Sequence, residues 1–121
     1  MSDQFNIKQN DTLPKIGATL WQDEAKTIPM VLTSAQAVNF HMMERSQLDA
    51  ASPVLVVEAT AEVVDALLGK VEYTWVQEDT EDDGTYYGEF EVEWSDTDRT
   101  TWPNNDYIVI IITKDLDKTN E

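Results

Sequence analysis

Along most of this chain apolar residues return at every second position, the period of a half-buried β-strand rather than of a helix. Phe5 and Ile7 alternate with polar neighbours, and Asn10-Asp11 then signals a turn. Ile16, Ala18 and Leu20 alternate with Gly17, Thr19 and Trp21. Val38, Phe40 and Met42 share one parity; Ala37, Asn39 and His41 share the other. Glu44 to Pro53 loses the alternation and reads as loop. Val54 to Ala59 is apolar and β-branched and continues loosely to Val64. A short helix over 60–68 competes there, but its Val and Thr residues disfavour it.

The second half alternates more strictly. Val71, Tyr73 and Trp75 define one strand. Tyr86, Gly88, Phe90, Val92 and Trp94 define a longer one, whose opposite parity carries Glu89, Glu91 and Glu93. Ser95 to Asp98 forms a hairpin loop, Arg99 to Trp102 a short return strand stopped by Pro103, and Tyr107 to Thr113 the last strand. Seven or eight short antiparallel strands at regular spacing imply an all-β sandwich. One domain is expected over 1–121, with its core at about 5–113 and a flexible polar tail at 114–121. No internal repeat or linker interrupts the pattern.

Asp82-Asp83-Gly84-Thr85-Tyr86 has the D-x-G-x-Y spacing that leads into the sixth strand of immunoglobulin-like domains. In those domains the tyrosine hydroxyl bonds back to the upstream corner. Gly88 stands two residues on, where antibody domains place a cysteine, so the sequence expects the corner without the disulfide.

Composition narrows the function. In 121 residues, 24 acidic side chains against 8 basic ones give a formal charge of −16. Phosphate backbones and anionic membrane surfaces need Lys and Arg, so neither nucleic acid nor membrane is an expected partner. With no cysteine there is no disulfide, thiolate metal site or cysteine nucleophile. The first residues show no basic and apolar segments of a signal peptide. No phosphate-binding glycine motif or nucleophile elbow is present, and His41 is the single histidine, so neither enzyme nor cofactor is expected.

Four features remain as candidates. Asp79, Glu81 and Asp83 open like a Ca2+ loop, but Phe90 occupies the twelfth position; the plain alternative is a solvated turn. Glu89, Glu91 and Glu93 form a carboxylate row that faces either water or a basic partner. Trp75 and Trp94 have inward parity; Trp21, with outward parity, and Trp102, before a proline, are expected to be exposed, as a sugar platform or as cover for the sandwich ends or an intersubunit contact. The last strand is apolar on both faces: Ile108, Ile110 and Ile112 on one, Tyr107, Val109 and Ile111 on the other. Both faces then need cover, which makes this strand the leading interface candidate.

The opening Phe5-Asn6-Ile7-Lys8-Gln9-Asn10-Asp11-Thr12-Leu13-Pro14 resembles the F-x-I-K-Q-G-D-T-x-P start of tailed-phage virion domains grouped with the N-terminal domain of the baseplate upper protein. Leu32-Thr33-Ser34-Ala35, Val38 to Met42, and Gly69-Lys70-Val71-Glu72-Tyr73-Thr74-Trp75 follow in order. Asp79-Thr80, Gly84-Thr85-Tyr86, Glu89 to Val92 and Thr101-Trp102-Pro103-Asn104 complete a likeness from Phe5 to about Ile112. Asn10 and Ser34 stand where the family has glycines. The resemblance implies an immunoglobulin-like sandwich that is a non-enzymatic structural component of a tailed bacteriophage virion, made in the host cytoplasm. Its expected partners are other phage structural proteins and further copies of itself, at a baseplate, tail, neck or head-decoration position. The alternative is a carbohydrate-binding or host-adhesion module on the virion surface, acting through Trp21 and Trp102.

Overall fold

The computed structural model describes residues 3–23 and 25–116; Met1-Ser2 and the last five residues of the expected tail lie outside the described residues. Nine strands form among those described: β1 (Gln4–Lys8), β2 (Ile16–Thr19), β3 (Ala37–Glu44), β4 (Leu55–Thr60), β5 (Glu62–Asp65), β6 (Lys70–Tyr73), β7 (Gly84–Glu93), β8 (Arg99–Trp102) and β9 (Ile108–Thr113). The count exceeds seven or eight because the Val54–Val64 stretch is two strands, one in each sheet. The break falls at Ala61, whose N–H donates to the Val38 carbonyl at 2.7 Å. No helix forms over 60–68.

The larger sheet runs β1-β9-β7-β3-β4, with β8 also paired to β7; the smaller runs β2-β6-β5. Every strand pair is antiparallel except β1 and β9, which are parallel. This is an immunoglobulin-like β-sandwich. Alternation becomes burial: Tyr86, Gly88, Phe90 and Val92 of β7 are buried, and the residues between them are half-buried. β3 and β9 alternate in the same way.

Between the sheets lies an aromatic cluster. Phe40 of β3 stacks on Tyr73 of the smaller sheet at 5.0 Å between ring centroids. It meets the edge of Trp75 at 5.7 Å and tilts against Phe90 at 5.0 Å. Phe5 closes on Trp75 from β1 at 5.9 Å. The expected corner is present: the Tyr86 hydroxyl donates to the Asp82 carbonyl at 2.7 Å. Burial, and then the nearby carboxylates of Asp82, Glu44 and Asp83, push that hydroxyl up to about 12.

Gly88 explains the missing disulfide. A Cβ there would lie 2.7 Å from Ile110 Cδ1 and 3.1 Å from the Phe40 ring, so the space of a cysteine is filled by aromatic and aliphatic packing. Gly69 answers a different need. It has φ +67°, and any Cβ would approach the Met30 and Leu20 carbonyls to 2.6 and 2.7 Å. That close approach lets Leu20 donate to the Gly69 carbonyl and Met30 to the Leu20 carbonyl, each at 2.8 Å. The loop after β2 is thereby tied down, with Leu20, Met30 and Leu32 buried.

Gly88→Ala is expected to lower stability by about 1–3 kcal/mol through overpacking. The check is a urea midpoint that falls with unchanged slope; an unchanged midpoint would mean that Phe40 and Ile110 yield without cost.

Candidate functional site

The outer face of the larger sheet follows from the register of β3 on β7. Phe40 opposes Phe90, so His41 opposes Glu89, Asn39 opposes Glu91 and Met43 opposes Tyr87. β4 places Glu58 on the other side of His41, and a bulge brings Leu55 beside Met43. The Tyr87 and Tyr107 rings stack at 5.0 Å. Leu48, Leu55, Met43, Tyr87 and Tyr107 line an apolar groove of 310 Å³, with His41 and Glu89 at its rim.

The carboxylate row is more supported than the thin supply of cations suggested. One Arg99 nitrogen lies 3.3 Å from Glu91 and 3.2 Å from Glu93, and Asn39 donates to Glu93. Arg99 reaches them because β8 folds back on β7, pairing Arg99 with Glu93. Serine chemistry fixes that return: Ser95 Oγ accepts from the N–H groups of Thr97 and Asp98. Glu89 is beyond this support. Burial first pushes its carboxyl above the ordinary 4.5; the His41 charge opposes the shift and Glu91 adds to it.

The last strand requires a correction. Ile108, Ile110 and Ile112 are 4, 0 and 2% exposed and pack inside the sandwich, so they belong to the core of this chain and offer nothing to a partner. Val109, Ile111 and Tyr107 stay half-buried on the outer face. Trp102 also departs from expectation. Its register opposite Phe90 turns it inward, and it is 6% exposed. Trp21 is half-buried and forms a bridge with Pro29. Both indoles nevertheless border one depression. Trp75 is buried as expected; Trp94 is half-buried, its N–H donated to Thr100 Oγ1 at 3.0 Å.

Asp79 has an internal role. Its Oδ2 accepts from the Tyr73 hydroxyl at 2.6 Å and the Val76 N–H at 3.0 Å, and the residue is buried. Burial, then the bond and charge of Asp79, push the Tyr73 hydroxyl well above its ordinary range. Glu81 and Asp83 are exposed, so the three carboxylates expected in a loop do not share one environment. Among the described residues no three His, Asp or Glu side chains are grouped to hold a metal ion.

A further set of exposed apolar side chains lies along β4 and β5. β4 and β5 are edge strands of their two sheets and follow one another in the chain. Of Val54 to Val64 only Val57 and Ala61 are buried. Val54, Val56, Val63 and Val64 are exposed, as are Leu67 and Leu68 in the turn that follows. The available signal was an apolar run without alternation, placed between a loop and a turn.

No protein-family model matches this chain, and no curated protein is significantly similar to it. The fold and these surfaces define the class: an acidic immunoglobulin-like sandwich with an apolar edge and a carboxylate-lined outer face.

Glu89→Gln is expected to stabilise the protein at neutral pH. A carboxyl raised in the folded state holds its proton more tightly there, so its contribution is most favourable below the ordinary 4.5 and is lost as pH rises through the folded value. The gain in thermal midpoint should therefore be present at about pH 7 and vanish near about pH 3. An equal gain at both pH values would assign the effect to something other than ionisation.

Proposed function

We propose that this chain is a non-enzymatic structural component of a tailed bacteriophage particle, an assembly module that docks on other virion proteins. The observation that carries the reading is the exposed β4–β5 edge. A strand edge dressed with Val54, Val56, Val63 and Val64 offers unpaired backbone groups beside apolar side chains. Pro53, Glu58 and Glu62 blunt this edge in part, and the valines stay exposed beside them. A neighbouring protein in an assembly would cover them by strand addition or by apolar packing. The likeness of Phe5 to Ile112 to the baseplate upper protein domains supports the virion setting. The carboxylate row suits contact with a basic neighbour, and copies of the chain would recur around the particle.

The reading predicts that the chain co-purifies with assembled particles in a fixed ratio to a major virion protein, measured by mass spectrometry. Val56→Lys combined with Val64→Lys should leave the far-UV circular dichroism unchanged and abolish incorporation. Absence of the wild-type chain from purified particles would sink the proposal.

A further inference from the structure

One pole of the sandwich gathers three of the four indoles. Trp21 lies just beyond β2, Trp94 just beyond β7, and Trp102 closes β8. Two depressions flank Trp21. The first, 260 Å³, is lined by Trp21, Trp102, Asp3, Asp23, Lys26 and Asn104, among others. The second, 350 Å³, includes Trp21, Trp94, Gln22, Thr100 and Asn104. Trp21 and Asn104 belong to both, so they form the wall the two depressions share.

The indole N–H groups divide in a telling way. Trp75 donates to the Pro14 carbonyl and Trp94 to Thr100. Among the described residues no acceptor takes the N–H of Trp21 or Trp102. No fully buried side-chain nitrogen is left without a partner either. Trp102 is 6% exposed and Trp21 is half-buried, so Trp21 presents the larger indole surface to the depressions.

Aromatic walls beside amide and hydroxyl groups match a sugar ring. Its C–H face packs on an indole and its hydroxyls exchange hydrogen bonds with the rim. Charge selects the kind of sugar. The first depression carries Asp3, Asp23 and Asp106 against Lys26, and Lys26 is already paired with Asp3 at 3.1 Å. Asp23 accepts from the Thr27 hydroxyl and then from the backbone N–H groups of Ile28 and Thr27, which holds its carboxyl below the ordinary range. A fixed negative charge repels sialylated, sulfated or uronic acid sugars. The second depression contains no charged residue.

We propose that this pole binds a neutral oligosaccharide, with one sugar unit on each side of Trp21. The site is separate from the β4–β5 edge and stands whether or not the chain belongs to a virion.

The test applies the full chain to an array of defined neutral and anionic glycans, including maltohexaose, cellohexaose, chitohexaose, sialyllactose and oligogalacturonate. The best neutral hit and its monosaccharide unit are then titrated against intrinsic tryptophan fluorescence. Expected are binding of a neutral oligosaccharide, a monosaccharide at least about tenfold weaker, and a loss of about tenfold or more in Trp21→Ala. Asn104→Ala, in an exposed loop, should weaken binding as well and decides the matter if Trp21→Ala does not fold. Binding of anionic glycans alone would leave a sugar site and overturn the neutral, two-unit assignment. So would a monosaccharide as tight as its oligomer. No binding to any neutral glycan, or binding indifferent to these substitutions, would overturn the site itself.

Discussion

The structure depends on the packing of the Phe40 ring. It is the one side chain that stacks on the opposite sheet at Tyr73, meets Trp75 edge-on and touches its own sheet neighbour Phe90. Each such pair contributes about 0.5–1.5 kcal/mol beyond the burial of its area. The ring also occupies the space over Gly88, so the glycine and the absence of a disulfide have one cause. An antibody domain clamps its sheets covalently at this level; here the clamp is aromatic.

That packing reaches the surface through register. Phe40 opposite Phe90 fixes β3 on β7, and a slip of one residue would turn Glu89 and Glu91 into the core. The apolar groove and the carboxylate row are thus the outer consequence of an inner contact. Arg99 completes the arrangement by returning along β8, so that part of the charge of the carboxylate row is balanced within the chain. Glu89, at the groove, is left to His41.

Much of this was legible in the alternation. β7 carried its parity openly because buried and charged residues take turns along it, and the D-x-G-x-Y spacing located the Tyr86 corner. What was not legible had two physical sources. A strand that is apolar on both faces does not say which face is covered, and β9 proved to bury its Ile residues within the chain while leaving Val109 and Ile111 outside. A run such as Val54 to Val64 does not announce that it is an edge, because edge status is set by which strands lie beyond it. Trp102 was misread for a related reason: its inward direction comes from pairing with Phe90 across a hairpin, a contact that the following proline does not reveal. Asp79 looked like a ligand for a cation and is a partner for a buried tyrosine, because the short 3-10 turn at Gln77–Thr80 swings it inward.

The parallel pairing of β1 with β9 separates the two ends of the fold. Gln4 lies beside Val109 and Lys8 beside Thr113, so both strands advance in the same direction across the larger sheet. The chain enters near Asp3, at the tryptophan pole, and passes Thr113 on the tyrosine-corner side, roughly one strand length or 20 Å away. Anything joined after β9 leaves from the pole opposite the indoles, whereas anything joined before β1 emerges among them. A purification handle, a fluorophore or a surface tether attached behind β9 therefore keeps the tryptophan pole open, and the same attachment ahead of β1 crowds it.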